Sequence, residues 1–236
     1  MTDLRVILWD IDGTLLHSRR HGAFKEYMAP AMVRVFGTAG RLDEMVVSGM
    51  TDLQIVSEAL RDEGFTAEQV RARAAELVPL YLEELERLTG AEEVFYALPG
   101  AREALEVLEG EPRYLNSLLT GNVEPAARLK LRLVGLDGFF RLPGAFGELS
   151  HDRRDLPAVA RERISRHLGR DISPDQLVVI GDTPNDIACA RHFGARAVAV
   201  ATGRSHTPAD LLRHEPDAVL PDLADTELLL RTLATL

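Results

Sequence analysis

The chain has 236 residues, of which 46% are hydrophobic and 27% are charged, a composition typical of a globular protein with a large buried core. Its formal net charge of -10 argues against nucleic acid as the main partner, because phosphate backbones bind basic surfaces. No apolar stretch approaches the roughly 20 residues that span a bilayer. No signal peptide is evident and the lone cysteine cannot form an internal disulfide, so we expect a cytoplasmic protein without a membrane partner.

The chain opens with an apolar run, residues 4–9, that predicts a buried parallel strand ending in Asp10-Ile11-Asp12-Gly13. Residues two apart in a strand point to the same side, so both carboxylates can converge on one site. Such a pair favours a bound divalent cation such as magnesium, and one acid then suits a nucleophile while the other donates a proton. A plain strand-to-turn transition is the alternative. An EF-hand is excluded because its glycine and final glutamate would be out of place.

Residues from about 23 to 96 change character and predict an α-helical insertion of about 75 residues, close to a small domain in size. Two of its helices begin after threonines, Thr51 and Thr66, that suit N-cap positions. The second of these helices is predicted to continue to Leu88.

Strands and helices alternate again from residue 98, which predicts a parallel sheet. The predicted strands cover residues 114–119, 177–180, 195–200 and 218–220. The predicted helices cover residues 101–108, 124–134, 156–168 and 225–233, and another ends at residue 193. Trp9 and Cys189 are predicted to lie in the core.

Three predicted strands end in polar residues, namely Asp10 and Asp12, Thr120 and Asn122, and Asp182 and Asp186. All carboxyl ends of a parallel sheet lie at one edge, so the three sets can meet. Thr120 offers a hydroxyl, and the Gly121-Asn122 backbone leads into a helix N-terminus that suits phosphate. Asp182 offers a third carboxylate for the metal, and Asp186 is placed to orient a metal-bound water. A turn or a helix cap explains each set taken singly, but hardly all three in this order.

The three sets resemble the first, second and fourth motifs of the haloacid dehalogenase superfamily of phosphohydrolases. They are Asp10-Ile11-Asp12-Gly13-Thr14-Leu15, Thr120-Gly121-Asn122 and Gly181-Asp182-Thr183-Pro184-Asn185-Asp186. The helical insertion after the first motif is similar to that family's cap. The resemblance implies an α/β fold with a Rossmann-like parallel-sheet core, residues 1–16 and 97–236, and a smaller α-helical cap, residues 17–96.

The resemblance also implies magnesium-dependent hydrolysis of a small phosphate monoester through an aspartyl-phosphate intermediate. Asp10 would attack phosphorus, and Asp12 would protonate the leaving oxygen and then activate water. Magnesium would be bound by Asp10, the backbone carbonyl of Asp12 and Asp182, with Asp186 nearby. The true dehalogenases of the family lack an aspartate at position 12, so we weigh phosphatase above dehalogenase.

The third motif of the family normally supplies a lysine to the phosphate site, and here the sequence departs from that pattern. The remaining phosphate ligands would be Thr120, Gly121 and Asn122. Lys130 is the only lysine after the insertion, and about eight residues of helix, roughly 12 Å, are expected to place it too far away. Arg153, with Arg154 behind it, is therefore the expected replacement, the alternative being two solvated loop charges.

Two stretches of the insertion are candidates for contact with the substrate: the basic run that contains Arg20, and the loop of residues 48–52, which contains Thr51. A solvated turn and a simple helix cap are the respective alternatives. A phosphosugar mutase shares every motif, and a catalytically silent binding protein on the same fold is the alternative from another class. The sequence leaves open phosphoglycolate, sugar phosphates and nucleotides as substrates, and it leaves the oligomeric state open.

Overall fold

A five-stranded parallel sheet forms the centre of the protein, as seen in a computed structural model that describes residues 4–236. Its strands are β1 (Arg5–Trp9), β4 (Tyr114–Leu118), β5 (Leu177–Gly181), β6 (Arg196–Val200) and β7 (Ala218–Leu220). They lie in the order β4-β1-β5-β6-β7, and every neighbouring pair is parallel. The predicted α/β fold with a parallel sheet is therefore confirmed.

Helices cover both faces of this sheet. Alternate residues of β1 belong to different apolar clusters, since Ile7 and Trp9 pack on one face while Val6 and Leu8 pack on the other. The first face is covered by α5 (Ala101–Glu109), α6 (Glu124–Leu133) and α10 (Thr226–Thr235). The second is covered by α7 (Leu156–Leu168), α8 (Pro184–Phe193) and α9 (Pro208–Leu212). Because both faces of the sheet are buried, its strands are continuous apolar runs in the sequence.

The predicted insertion consists mainly of four helices: α1 (Ala23–Phe36), α2 (Asp52–Leu60), α3 (Ala67–Ala72) and α4 (Ala74–Ala91). Thr51 and Thr66 are N-caps, as predicted, because each side chain accepts a hydrogen bond from a backbone amide three residues later. The apolar residues of these helices belong to the cluster on the Trp9 face of the sheet, so the insertion packs onto that side. The division into core and cap stays a prediction.

Three details of the predicted elements are wrong. The helix from residue 66 to 88 is interrupted at Arg73, whose amide bonds to Val70 instead of continuing the α-helical pattern. Residues 95–97 are not helical but form β3 (Phe95–Ala97), which pairs antiparallel with β2 (Leu16–Ser18) just after the first motif. Helix α9 was not predicted, because five residues are too few to show a helical period.

Trp9 and Cys189 are both buried, as predicted. The Trp9 indole Nε1 donates to Asn116 Oδ1 at 2.9 Å, which satisfies its one polar atom inside the core. Burial also raises the pKa of the Cys189 thiol to about 12, so this cysteine has no activated thiolate.

Candidate active site

The candidate site lies at the carboxyl edge of three adjacent strands. Strand β1 lies between β4 and β5, and these three strands lead into the three polar motifs. Asp10 follows β1, Thr120 follows β4, and Asp182 follows β5, and all three are buried. The structure thus brings together the motif residues that sequence reasoning expected to meet.

Three of the carboxylates form a candidate metal site. One oxygen each of Asp10, Asp182 and Asp186 lies within 4.8 Å of the others. Burial raises the pKa of Asp10 to about 6, partly opposed by the Arg153 guanidinium. Burial, Asp10 and Asp186 likewise raise the pKa of Asp182 well above its usual range. Three carboxylates this close are stabilised in their ionised form by a cation among them, and a hard divalent ion prefers oxygen ligands of this kind.

The backbone around Asp182 is shaped to this carboxylate. A Cβ on Gly13 would lie 2.4 Å from Asp182 Oδ2, and a Cβ on Gly203 would lie 2.0 Å from the same atom. The Thr14 hydroxyl donates to Asp182 Oδ1 at 3.3 Å. These contacts fix the orientation of the carboxylate, so the residues present fit an oxygen-liganded divalent cation.

The Arg153 guanidinium lies against this acidic cluster. Its Nη2 is 3.0 Å from Asp10 Oδ1 and 2.5 Å from Asp186 Oδ1. Burial disfavours the charged guanidinium, but the two carboxylates outweigh this effect and raise the pKa of Arg153. The buried Nε has no hydrogen-bond partner among residues 4–236. Arg154, in contrast, is exposed and paired with Asp152, away from the site.

Lys130 also lies in the site, and the expectation that it would be too distant was wrong. Its Nζ donates to Asp12 Oδ1 and Oδ2 at 3.0 and 2.8 Å and to Asn122 Oδ1 at 2.6 Å. Helix α6 begins only at Glu124, so the axial distance to Lys130 is about 9 Å, and a lysine side chain points back toward the helix N-terminus. The lysine is fully buried, which disfavours its charged form. The nearby Asp12 carboxylate outweighs this effect and raises the pKa of Lys130.

Asp12 is therefore oriented away from the three-carboxylate cluster. Its Oδ2 also accepts from Asn122 Nδ2 at 2.7 Å, and Asn122 Nδ2 lies 2.9 Å from Thr120 Oγ1. The Asp12 side chain is 43% exposed, whereas Lys130 is 2% exposed. A carboxylate held by two donors yet open to the cavity is well placed to exchange a proton with a ligand.

Asp52 is the last residue of the candidate loop, and no role of its own was predicted for it. It begins α2, in the insertion, and its Oδ2 accepts from the Val123 amide at 2.9 Å, at the N-terminus of α6. Its own amide donates to the Gly121 carbonyl at 2.8 Å. Burial raises the pKa of Asp52 to about 7, with Lys130 opposing that shift. An exposed helix start and a buried one look alike in the sequence, so only the contact with α6 reveals this residue.

The two candidate specificity residues are placed differently. Arg20 is half-exposed, pairs with Glu26 and Glu92, and does not line the cavity at the site. Thr51 is fully buried, and its hydroxyl caps α2 by accepting from the Gln54 amide. The structure thus gives Thr51 a capping role between two neighbours, Met50 and Asp52, that do line the cavity.

A cavity of about 160 Å³ lies over these groups. Its polar lining comes mainly from the strand ends and includes Asp10, Asp12, Thr120 and Asn122. Its apolar lining comes mainly from the insertion and consists of Phe24, Tyr27, Val47, Met50, Ile55 and Phe95. The cavity is therefore polar where a phosphate would meet the motifs and largely apolar elsewhere.

Comparison with known proteins agrees with this geometry. Residues 154–226 match the family described as HAD-hydrolase-like. The phosphoglycolate phosphatase of Vibrio vulnificus strain YJ016 is 24% identical over 225 residues, which cover 94% of each chain. The crystal structure of a hydrolase from Pseudomonas syringae matches at 25% identity with a TM-score of 0.64, covering 99% of both chains.

The chain is similar to haloacid dehalogenase-like hydrolases along nearly its whole length. The prediction of an enzyme that hydrolyses phosphate esters is thereby confirmed. A structure named as a putative beta-phosphoglucomutase from Bacteroides vulgatus is also similar, with 21% identity, a TM-score of 0.67, and coverage of 99% of this chain and 90% of that chain. At that identity the likeness concerns the fold alone. Within residues 4–236, every helix is too short or too polar to cross a bilayer.

Proposed function

We propose that this haloacid dehalogenase-like hydrolase cleaves a small phosphate monoester, with magnesium as its cofactor and an aspartyl phosphate as its intermediate. The observation that carries the proposal is the setting of Asp10, a buried carboxylate between two further carboxylates and the Arg153 guanidinium. A buried carboxylate flanked by a cation site and a phosphate-binding arginine is equipped for nucleophilic attack on phosphorus.

In the first step an Asp10 oxygen forms a bond to phosphorus while the bond from phosphorus to the leaving oxygen breaks. Asp12, held by Lys130 and Asn122, gives a proton to that oxygen, so that an alcohol leaves. In the second step Asp12 takes a proton from water as the water oxygen attacks phosphorus, which releases phosphate and regenerates Asp10. Arg153 and the Thr120 hydroxyl stabilise the charge on the phosphoryl oxygens.

Asp10 and Asp182 would bind the magnesium ion, with the backbone carbonyl of Asp12 as a further ligand and Asp186 beside them. When bound, the ion offsets negative charge on the phosphoryl group. Asp186 also accepts hydrogen bonds from the Thr183 hydroxyl at 2.6 Å and the Thr183 amide at 3.0 Å. These contacts, with Arg153, hold the Asp186 carboxylate close to the two proposed ligands.

The size of the cavity supports a small substrate. A volume of about 160 Å³ accommodates a phosphoryl group with a leaving group of a few carbon atoms. The insertion supplies most of the apolar lining, so we propose that residues 17–96 act as a cap that covers the site and chooses the substrate. The named activity of the Vibrio relative, phosphoglycolate phosphatase, is one member of this substrate class.

Hydrolysis of p-nitrophenyl phosphate tests the proposal. We expect turnover that requires magnesium, stops with a chelator, and falls by at least about three orders of magnitude in Asp10→Asn, since the nucleophile is lost. Trapping the intermediate on Asp10 with radiolabelled substrate would support the covalent step. Activity that survives Asp10→Asn in pure protein would mean a different nucleophile and would overturn the mechanism.

A further inference from the structure

The cations that line the cavity are already engaged. Among residues 4–236, the lining contains two cationic side chains, Lys130 and Arg153. All three donors of the Lys130 ammonium are directed at oxygens of Asp12 and Asn122. The rings of Phe95 and Tyr27 lie 5.5 and 6.0 Å from this ammonium and shield it further. Lys130 is therefore already neutralised by the protein.

Arg153 is committed to the other end of the cavity. Its Nη2 lies against Asp10 and Asp186, and its Nη1 lies 3.4 Å from the Gly49 carbonyl oxygen. Only its Nε is without a partner in the described part of the chain. Because the Arg153 guanidinium lies against the proposed nucleophile, we assign it to the phosphoryl group and not to the rest of the substrate.

The wall that comes from the insertion carries one acid, two serines and apolar groups, and none of the lining residues that the structure describes there is a cation. Asp52 lines the cavity and is 4% exposed. Its neighbours on this wall include Ile55, Met50 and Phe24. A leaving group that carried a carboxylate or a second phosphate would be buried here beside Asp52 without an unpaired cation.

The net charge of the residues around the cavity also disfavours a second anionic group on the substrate. The lining holds three acids, Asp10, Asp12 and Asp52, against its two cations, and Asp182 and Asp186 add two more buried acids behind it. A divalent cation and a phosphate dianion cancel each other, so the occupied site keeps its negative excess. Placing a further anion in such a site is unfavourable.

We infer that this cavity selects phosphate monoesters with an uncharged leaving group, such as an alcohol or a polyol, and discriminates against monoesters whose leaving group carries a carboxylate or a second phosphate. The inference rests on the proposed function, because it assigns the leaving group of the same reaction. It also separates this chain from a phosphoglycolate phosphatase, the named activity of its Vibrio relative.

A matched pair of esters, 2-hydroxyethyl phosphate and phosphoglycolate, tests the inference. The two have the same number of carbon atoms, but the first carries a hydroxymethyl group where the second carries a carboxylate. We expect kcat/KM, measured by phosphate release with magnesium, to favour 2-hydroxyethyl phosphate by roughly tenfold or more. Equal values, or a preference for phosphoglycolate, would overturn the inference and leave the proposed function intact.

Asp52→Asn tests whether the Asp52 carboxylate causes the discrimination against phosphoglycolate. The amide oxygen can still accept from the Val123 amide, so the helix contact is kept while the charge is removed. We expect the ratio of kcat/KM for 2-hydroxyethyl phosphate to kcat/KM for phosphoglycolate to fall several-fold. The matched control is Asp62→Asn, an exposed acid of the insertion outside the cavity, which should leave both values unchanged. An unchanged preference in Asp52→Asn would contradict the assigned role of Asp52.

Binding to the Asp10→Asn protein separates the inference from the reaction. The dissociation constants of both esters, measured by calorimetry with magnesium, should show the same roughly tenfold order as kcat/KM. If neither ester is hydrolysed by the native enzyme but binding keeps this order, the proposed function fails, whereas the preference of the cavity for the uncharged ester stands. If neither ester binds, or phosphoglycolate binds more tightly, the inference is wrong.

Discussion

At the scale of single residues, Lys130 tests how Asp12 is positioned. Lys130→Met removes the ammonium and keeps an unbranched side chain, so Asp12 loses two of its hydrogen bonds and keeps the one from Asn122. An alkyl phosphate needs a proton on its leaving oxygen, whereas p-nitrophenolate leaves readily without one. We therefore expect kcat/KM to fall by roughly 10²-fold for ethyl phosphate and far less for p-nitrophenyl phosphate.

The control for this variant is Lys25→Met, because Lys25 is the only other lysine in the chain and is partly exposed outside the cavity, with its ammonium donating to the Asp43 carbonyl. It should leave both rate constants unchanged. An equal loss of kcat/KM for the two substrates in Lys130→Met would show that Lys130 supports the fold and has no specific effect on proton transfer by Asp12. Lys130→Arg should restore part of the kcat/KM lost for ethyl phosphate, since a cation returns beside Asp12.

At the scale of elements, the loop after β6 supports the first motif. The Thr202 hydroxyl donates to the Gly13 carbonyl at 2.6 Å, and His17, in β2, lies 2.9 Å from the Thr202 carbonyl oxygen. Gly203 comes next and lies against the Asp182 carboxylate. This loop thus connects the strand after the fourth motif to the proposed metal site, although nothing in its composition indicates that role.

Gly203→Ala tests this support. Its Cβ would lie 2.0 Å from Asp182 Oδ2, so the carboxylate has to move and one proposed metal ligand is displaced. We expect the magnesium concentration for half-maximal activity to rise by roughly 10-fold or more. Gly138→Ala is the control, because a Cβ there would meet no atom within 4 Å. An unchanged magnesium requirement in Gly203→Ala would exclude Asp182 as a ligand.

The elements that sequence reasoning predicted well are those with a signal inside themselves. The buried strands are short apolar runs that end in the motifs, and Thr51 and Thr66 carry their capping function locally. The contacts that it missed join residues far apart in the chain. Asp12 and Lys130 are separated by 118 positions, and Asp52 and Val123 by 71. Only the packing of α2 and α6 against the strand ends creates these contacts, and a single sequence carries no pattern for them.

At the scale of the whole molecule, the loop from Val47 to Asp52 joins the insertion to the second and fourth motifs on the core. Its Gly49 carbonyl accepts from the Asn185 side chain at 2.9 Å, beside the fourth motif. Its last residue bonds to Gly121 and Val123 at the second motif. Each of these contacts includes a backbone group of the loop or of the core, so a change at one of them should affect the whole insertion.

Gly121→Ala tests that coupling. A Cβ on Gly121 would lie 2.2 Å from the Met50 carbonyl oxygen, so the loop of the insertion can no longer lie against the core. We expect KM to rise, and hydrogen exchange at residues 47–52 to become faster, because an unseated loop leaves its amides open to water. Gly90→Ala is the matched control within the insertion, since a Cβ there meets nothing within 4 Å. Unchanged exchange in Gly121→Ala together with a raised KM would place the defect in phosphate binding at the second motif, and the loop would then have no part in closing the site.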